Sequence, residues 1–444
     1  MPVSRLNLPT HEATTAQLGA AYPFASARPL PVRRVLVGRD LAGGTFAHDP
    51  FALYREGVIT NPNMTVVGQI GRGKSAFVKT YLFRHAAFGR QVAVLDPKGE
   101  YGALATALGC RPIRLAPEGG VRVNPLEGVG SEAFDGGRPP EGSRRGGAYR
   151  RRLVLLRALA EATMHRRVSP REQLAIEVAL DSATAAAAER GERAPTLTAV
   201  VVAMLKPGDG AARAAGVPAA RLEEDGRDVG LELRRLVLGD LAGMFDGTTS
   251  PRVADRAGAS WPDLPHRPGP PPLVVDLSAV YHSEALPVLM VCAAAWLESM
   301  TSASSSTTLL VVDEAWAVVS DLAVARYLRS SWKLARAKGL SNIAVCHRVS
   351  DLTSSGAAGS ETARLAEGLL ADSETVVCYA QPASELPALA VALGCSEEEL
   401  AVLTALPRGV ALWRVAGRSF LVEHLVSSIE RPLVDTDQRL REQL

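Results

Sequence analysis

The chain has 444 residues, 47% hydrophobic and 22% charged, ordinary values for a globular protein with the length of two or three domains. Lys and Arg total 49 against 47 Asp and Glu, so the net charge of +2 excludes a globally basic nucleic-acid coat and an acidic tail but leaves room for a local basic surface. Five cysteines, an odd number with no C-x-x-C pair, exclude a disulfide framework and a cysteine zinc site, and fit a reducing compartment.

Residues 1–47 begin without a signal-peptide apolar region and carry no sustained periodicity. They read as a poorly ordered N-terminal extension, with a short strand at RRVLVG (33–38). From 48 to 126 the pattern becomes strand, Gly-rich loop, helix, strand. MTVV (64–67) is short and β-branched, Ser75 to Phe88 carries apolar residues at helical spacing, and QVAVLDP (91–97) is a second strand. That is a βαβ unit, which predicts a parallel sheet covered by helices.

Residues 127–149 are rich in Gly, Pro, Ser and Arg and read as a flexible loop. Four apolar-periodic runs between 150 and 260 predict a helical insertion, followed by a stiff Pro-rich linker at 261–272. Strand and helix then alternate again across 273–430. Strands are expected at LVVDLS (273–278), LLVVDE (309–314), SNIAVCH (341–347) and ETVVCYA (374–380), with a hairpin of VALWRVAG (410–417) and SFLVEHL (419–425). Residues 431–444 form a C-terminal tail. The longest uncharged apolar run, Ala285 to Leu297, has 13 residues and contains Pro287, short of the roughly 20 needed to span a bilayer. No transmembrane segment is expected.

The strongest motif is Gly68-Gln69-Ile70-Gly71-Arg72-Gly73-Lys74-Ser75, which matches G-x-x-x-x-G-K-[ST] at every fixed position. A strand feeds it and a helix starts at its end, the context that separates a phosphate loop from a chance Gly-rich turn. The glycines let backbone N–H groups wrap around phosphates, and the helix N-terminus adds a favourable dipole. Lys74 reaches β- and γ-phosphates in such a loop, and the Ser75 hydroxyl takes a Mg²⁺ position. The second motif is LLVVDE (309–314), an apolar strand ending in two acids where α/β sheets place ligands. There Asp313 is expected to hold Mg²⁺ and Glu314 to orient the attacking water. A small-molecule kinase also uses the loop, but its acceptor replaces an activated water. Glu314 therefore argues for ATP hydrolysis.

Beyond these two motifs, VAVLDPKGEY (92–101), VNPLEG (123–128), FDGTTS (245–250), VVDEAW (311–316) and LARAKGLSNIAVCHRVSDL (334–352) together resemble the ATPases of type IV secretion and conjugation. These are the TraC/TraG-like, VirB-type branch of the FtsK–HerA superfamily. The resemblance runs over about residues 50 to 430. It implies an α/β fold with a RecA-like P-loop NTPase core, a mostly parallel central sheet, a helical insertion and a C-terminal β-hairpin. It also implies ATP as fuel, Mg²⁺, assembly into a homo-oligomer such as a hexameric ring, membrane-embedded secretion or conjugation partners, DNA as a further partner, and a cytoplasmic site at the inner face of the membrane.

Two departures shape the expectations. Members of this branch carry a substantial N-terminal domain, whereas residues 1–67 are all that precede this phosphate loop, which predicts a stand-alone motor domain. The strand after the D-E motif usually ends in a Gln that senses the γ-phosphate; here the sequence reads Cys346-His347-Arg348. His347 can donate from either ring nitrogen and is the expected sensor. Asp96 and Glu100 flank Pro97-Lys98-Gly99 at the end of the second strand, where they are expected beside the site, near Mg²⁺ or bound to a neighbouring residue. A ring ATPase takes an arginine from the next subunit, and Arg336 and Arg408 are the candidates. Trp316, Trp332 and Trp413 read as core rather than a base-stacking platform. The basic run Arg144 to Arg152 reads as a solvated loop that could contact phosphate. A HerA- or FtsK-like DNA translocase, or a low-turnover ATP-binding switch, are the rival functions.

Overall fold

Runs such as MTVV (64–67) and TLLVV (308–312) lack polar alternation, and strands of that kind are buried on both faces. The structure is a computed structural model, and it describes residues 30–31, 35–127, 146–239, 241–250, 253, 269–302, 306–319, 321–348, 368 and 372–434. Among the described residues eleven strands form one sheet: β1 (Leu36–Asp40), β2 (Thr45–Ala47), β3 (Met64–Val67), β4 (Gln91–Asp96), β5 (Ile113–Arg114), β6 (Leu273–Asp276), β7 (Thr308–Val312), β8 (Leu340–Cys346), β9 (Thr375–Tyr379), β10 (Val410–Val415) and β11 (Arg418–His424). Their order is β2-β1-β11-β10-β9-β3-β8-β7-β4-β6-β5. From β9 to β5 the neighbours are parallel, and the β10–β11 hairpin with β1 and β2 continues the sheet antiparallel.

Register decides where the functional loops meet. Val67 of β3 lies opposite Cys346 of β8 and Cys378 of β9, and Val312 of β7 lies opposite Leu95 of β4 and Ala344 of β8. The four segments that follow β3, β4, β7 and β8 therefore leave the sheet along one carboxyl edge, where an open α/β sheet binds its ligands.

Strand residues alternate between two apolar cores. On one face Val66, Val94, Val311, Val345 and Val377 pack against α1 (Lys74–Ala87). On the other, Val67, Leu95, Val312 and Cys346 join a larger core that includes α2 (Gly147–Met164), α3 (Pro170–Glu189), α4 (Leu197–Leu205), α5 (Ala219–Leu238), α6 (Leu286–Ser302) and α7 (Leu322–Leu334). The helical segment between β5 and β6 thus shares one continuous core with the sheet.

VNPLEG and FDGTTS, far apart in sequence, lie together. Asn124 N–H donates to Thr249 Oγ1 at 3.0 Å, Ser250 N–H donates to the Arg122 carbonyl at 2.9 Å, and Val123 N–H donates to the Met244 carbonyl at 2.9 Å.

Four expectations need correction. The extension expected to be poorly ordered through residue 47 supplies β1 and β2, which pair with β11 and with each other at one edge of the sheet. The basic run expected in a loop is helical from Gly147 onward, and the Arg152 guanidinium donates to the Leu126 carbonyl at 2.8 Å; Arg144 and Arg145 lie outside the described residues, as does most of the expected loop. The tail expected from 431 opens with a helical turn, Arg431–Val434, whose Leu433 is buried. Asp313 and Glu314 follow β7 rather than ending it, because Glu314 takes a left-handed backbone conformation that a strand does not admit. Residues 261–268 of the expected linker and the tail from 435 lie outside the described residues.

Candidate active site

The phosphate loop leaves β3 at Gly68 and enters α1 at Lys74. Gly68, Gly71 and Gly73 have positive φ of 156°, 77° and 111°, so the turn is built on residues without a Cβ. Gly68 is also sterically obligatory, since a Cβ there would sit 2.4 Å from the Tyr379 Cβ. Neighbouring backbone braces the loop from two sides. Gln69 N–H donates to the Ala380 carbonyl at 3.1 Å, and Gly409 N–H donates to the Arg72 carbonyl at 3.0 Å. The Lys74 ammonium curls over the loop and donates to the carbonyls of Gly68 and, at 2.9 Å, Gln69. Burial pushes its pKa down to about 8, and the carboxylates of Asp313 and Glu314 pull it partly back.

Those carboxylates come from the turn after β7. Asp313 is buried and accepts from Glu314 N–H at 2.9 Å. Burial, with the added repulsion of Glu314, Asp96 and Glu100, holds its carboxyl up at about 7. Glu314 behaves oppositely. Burial alone would raise it, but three donors outweigh burial and hold it at about 2. His347 Nε2 lies 3.0 Å and Lys98 Nζ 2.5 Å from Oε1, while the Trp316 indole N–H donates to Oε2. The expected sensor histidine is thus bonded directly to the expected catalytic acid. An open cleft of about 740 Å³ joins His347 to the loop, lined by Gln69, Ile70, Gly71, Arg72, His347, Arg348 and Arg408.

The loop after β4 completes the edge. Asp96 is buried, and its carboxylate accepts four backbone N–H groups: Lys98 at 3.3 Å, Gly99 at 2.8 Å, Glu100 at 3.1 Å and Tyr101 at 2.9 Å. It takes the neighbour-binding role. Glu100 adds negative potential, felt by Asp313 and by Lys79, whose buried ammonium lies 5.5 Å from the Tyr101 ring centroid.

The two arginine candidates separate. Arg408 sits on the wall of this chain's own cleft. Arg336 is exposed in the turn before β8, at the opposite end of that strand from His347. Sequence reasoning missed Lys98, Tyr379 and Gly409, and it placed Trp316 in the core alone. Trp316 does pack against the larger core, yet its indole nitrogen serves Glu314. One signal for Lys98 was present: only six of the 49 basic residues are lysines, and three of them, Lys74, Lys79 and Lys98, converge here.

The donor set fits a nucleotide with Mg²⁺. A cradle that excludes any Cβ at Gly68 and a buried lysine at its centre suit a polyphosphate. Ser75 and Asp313 offer two hard oxygens, the small protein share that Mg²⁺ takes when phosphates and waters supply the rest. Asp313, buried among acids, is a group whose ionised form a divalent cation stabilises. Among the described residues there is no cluster of three or more His, Cys, Asp and Glu that could hold a metal without such help.

No protein-family model matches the chain, and no curated protein matches it in sequence. Solved structures do. VirB4 of Thermoanaerobacter pseudethanolicus superposes over 91% of this chain and 100% of that chain, with a TM-score of 0.67 and 21% identity. The plasmid coupling protein TrwB in complex with ADP and Mg²⁺ superposes over 98% of each chain, with a TM-score of 0.52 and 15% identity. TrwB with the non-hydrolysable ATP analogue ADPNP gives 96% of each, 0.53 and 14%. At such identities the likeness is one of fold, and it matches the resemblance carried by the motifs: the chain has the RecA-like P-loop fold of VirB4 and TrwB along nearly its whole length.

Proposed function

We propose that this chain is a Mg²⁺-dependent ATPase, the motor subunit of a type IV secretion or conjugation apparatus. The observation that carries the proposal is the shared carboxyl edge. It sets the Lys74 ammonium within the electrostatic reach of Asp313 and Glu314, beside a loop shaped for phosphates. The ligands of TrwB, ADP with Mg²⁺ and ADPNP, support the nucleotide assignment. The names of VirB4 and of the conjugative coupling protein support the secretion and conjugation assignment.

In this reading, loop N–H groups and Lys74 bind the β- and γ-phosphates, and Ser75 and Asp313 hold Mg²⁺. The ion would neutralise charge developing on the phosphate oxygens. Glu314, which stays ionised because three donors stabilise its anion, orients and polarises the attacking water. His347 senses the γ-phosphate from the cleft wall and passes its position to Glu314 through their shared hydrogen bond. Residues 48–126 and 273–430 form the motor core, with 150–260 as its insertion. Subunits assemble into a homo-oligomeric ring, where Arg336 is the candidate for reaching a neighbour and Arg408 acts on its own cleft. Among the described residues no helix is long and apolar enough to cross a membrane. The likeness to VirB4 supports a place at the cytoplasmic face, held there by membrane-embedded partners.

The test is steady-state ATP hydrolysis by the purified chain alone, with single-stranded DNA and with double-stranded DNA, using Glu314→Gln as the blank. Turnover above the blank is expected. Turnover indifferent to DNA supports a secretion motor awaiting its protein partner, and strong stimulation by DNA supports a HerA- or FtsK-like translocase. No turnover above the blank overturns hydrolysis in favour of a nucleotide-dependent switch.

A further inference from the structure

We infer that Lys98 is a positioning residue for the hydrolysis proposed above, holding the Glu314 carboxylate toward the phosphate loop through an ion pair that Asp96 builds. The inference rests on that proposed function and extends it to a residue with no assigned role.

The construction starts at β4. The chain leaves the sheet after Asp96 and must turn within five residues before the helix that opens at Gly102. Backbone groups in so tight a turn need acceptors, and Asp96 supplies them to four consecutive N–H groups from Lys98 to Tyr101. The turn also passes close to the segment after β6. Gly99 has φ of 74°, and a Cβ there would approach the Ser278 Cβ to 3.2 Å. The loop is thereby fixed on both sides, and Lys98 is its outward-reaching side chain. Its ammonium lies 2.5 Å from Glu314 Oε1 and 5.8 Å from the Tyr281 ring centroid.

The receiving end is equally constrained. Glu314 adopts φ of 51°, a conformation that costs a non-glycine residue energy and persists only when its surroundings over-determine it. Lys98, His347 and Trp316 do so from three different segments. Lys98 and His347 share Oε1, while the indole of Trp316 takes Oε2. A compact ammonium can share one oxygen with an imidazole. An arginine fork seeks both oxygens of a carboxylate, which would displace His347 or Trp316. That difference accounts for a lysine at this position in a chain with 43 arginines.

The test combines kinetics with a mutant cycle. Lys98→Met should lower kcat for ATP at least about tenfold while leaving KM within about twofold, because the loop that binds phosphate is untouched. Lys98→Arg should restore part of that loss. Independently of turnover, Lys98→Met, Glu314→Gln and the double variant should show non-additive free energies of urea unfolding. A Lys98→Met enzyme with wild-type kcat overturns the inference. So does an equal loss of ATP affinity in both Lys98 variants, which would mark a merely structural loop, or strictly additive unfolding energies. A wild type without turnover would instead overturn the hydrolysis proposal, and the unfolding cycle alone would then decide whether the pair exists.

Discussion

Glu314 carries opposing demands. In the proposed hydrolysis it must remain an anion in a buried place, and it must face a water beside phosphate. Three donors solve the first demand, so that even with burial the group titrates at about 2. A carboxylate of that strength is a poor proton sink at neutral pH, and its proposed work is orientation. Glu314→Gln keeps the shape and removes the charge. ATP binding should persist and turnover fall about 100-fold or more, checked by single-turnover hydrolysis alongside equilibrium binding of a fluorescent nucleotide. A wild-type rate would remove Glu314 from the reaction. Gly68 makes the complementary case, because there the constraint is volume. Gly68→Ala must push the loop or Tyr379 aside, since the added carbon meets the Tyr379 side chain at 2.4 Å. Nucleotide affinity should fall at least about tenfold, the consequence of 1–2 kcal/mol of misfit. Unchanged affinity would mean the loop adapts. Both residues could be singled out in the sequence, Gly68 by the fixed spacing of the loop motif and Glu314 by its place at the end of an apolar strand. Lys98 and Tyr379 could not, since each acts across the sheet edge on a residue hundreds of positions away, and only register brings them together.

At the scale of elements, strands read well wherever burial on both faces left short, largely apolar runs rich in Val and Ile. MTVV and the β4 and β8 segments were placed to within a residue or so for this reason. β2 and β5, of three and two residues, left no periodic signal to read. Local capping chemistry marks helix starts more sharply. Ser169 opens α3 with a reciprocal cap: its hydroxyl accepts from Glu172 N–H at 3.3 Å, and the Glu172 carboxylate accepts from Ser169 N–H at 2.7 Å. Arg166 adds contacts at 2.9 and 2.6 Å, and its hydrogen bonds are the largest reason the Glu172 carboxyl lies down at about 2. Ser169→Ala should cost about 1 kcal/mol of stability in urea denaturation and leave ATP turnover at 25 °C unaltered. A loss of turnover at full stability would tie this helix to the reaction rather than to the fold.

Across the whole molecule, the back of α1 is anchored by histidines that the fold keeps neutral. His48 bonds the Tyr81 hydroxyl at 2.9 Å and the Thr375 hydroxyl at 3.2 Å, joining α1 to β9. His424 on β11 bonds the Thr80 hydroxyl at 2.8 Å, and the His85 ring lies 4.2 Å from that of Tyr81. Burial is the main cause in each case, pushing His48 down to about 3 and His85 and His424 down to about 4. Nearby charges modify this. Asp49 raises His48 and His85, Arg90 lowers His85, and Arg84 and Glu430 act oppositely on His424. In the unfolded chain each imidazole titrates near 6.5. Between that pH and about 4 the unfolded state therefore binds protons that the folded state refuses. The histidines' contribution is complete well above pH 6.5 and falls with acidification, by up to about 1.4 kcal/mol per pH unit for each histidine, against an opposing group, Asp313, whose raised carboxyl favours the fold as pH drops below about 7. Urea unfolding at pH 7, 6 and 5 should show the decline, and His424→Gln, which keeps a partner for Thr80 without a titrating ring, should make it shallower. A wild type equally stable at pH 7 and pH 5 would contradict the neutral histidines. Because these side chains fix the helix that begins at Lys74, nucleotide affinity should weaken over the same acid range as the fold loosens around the phosphate loop.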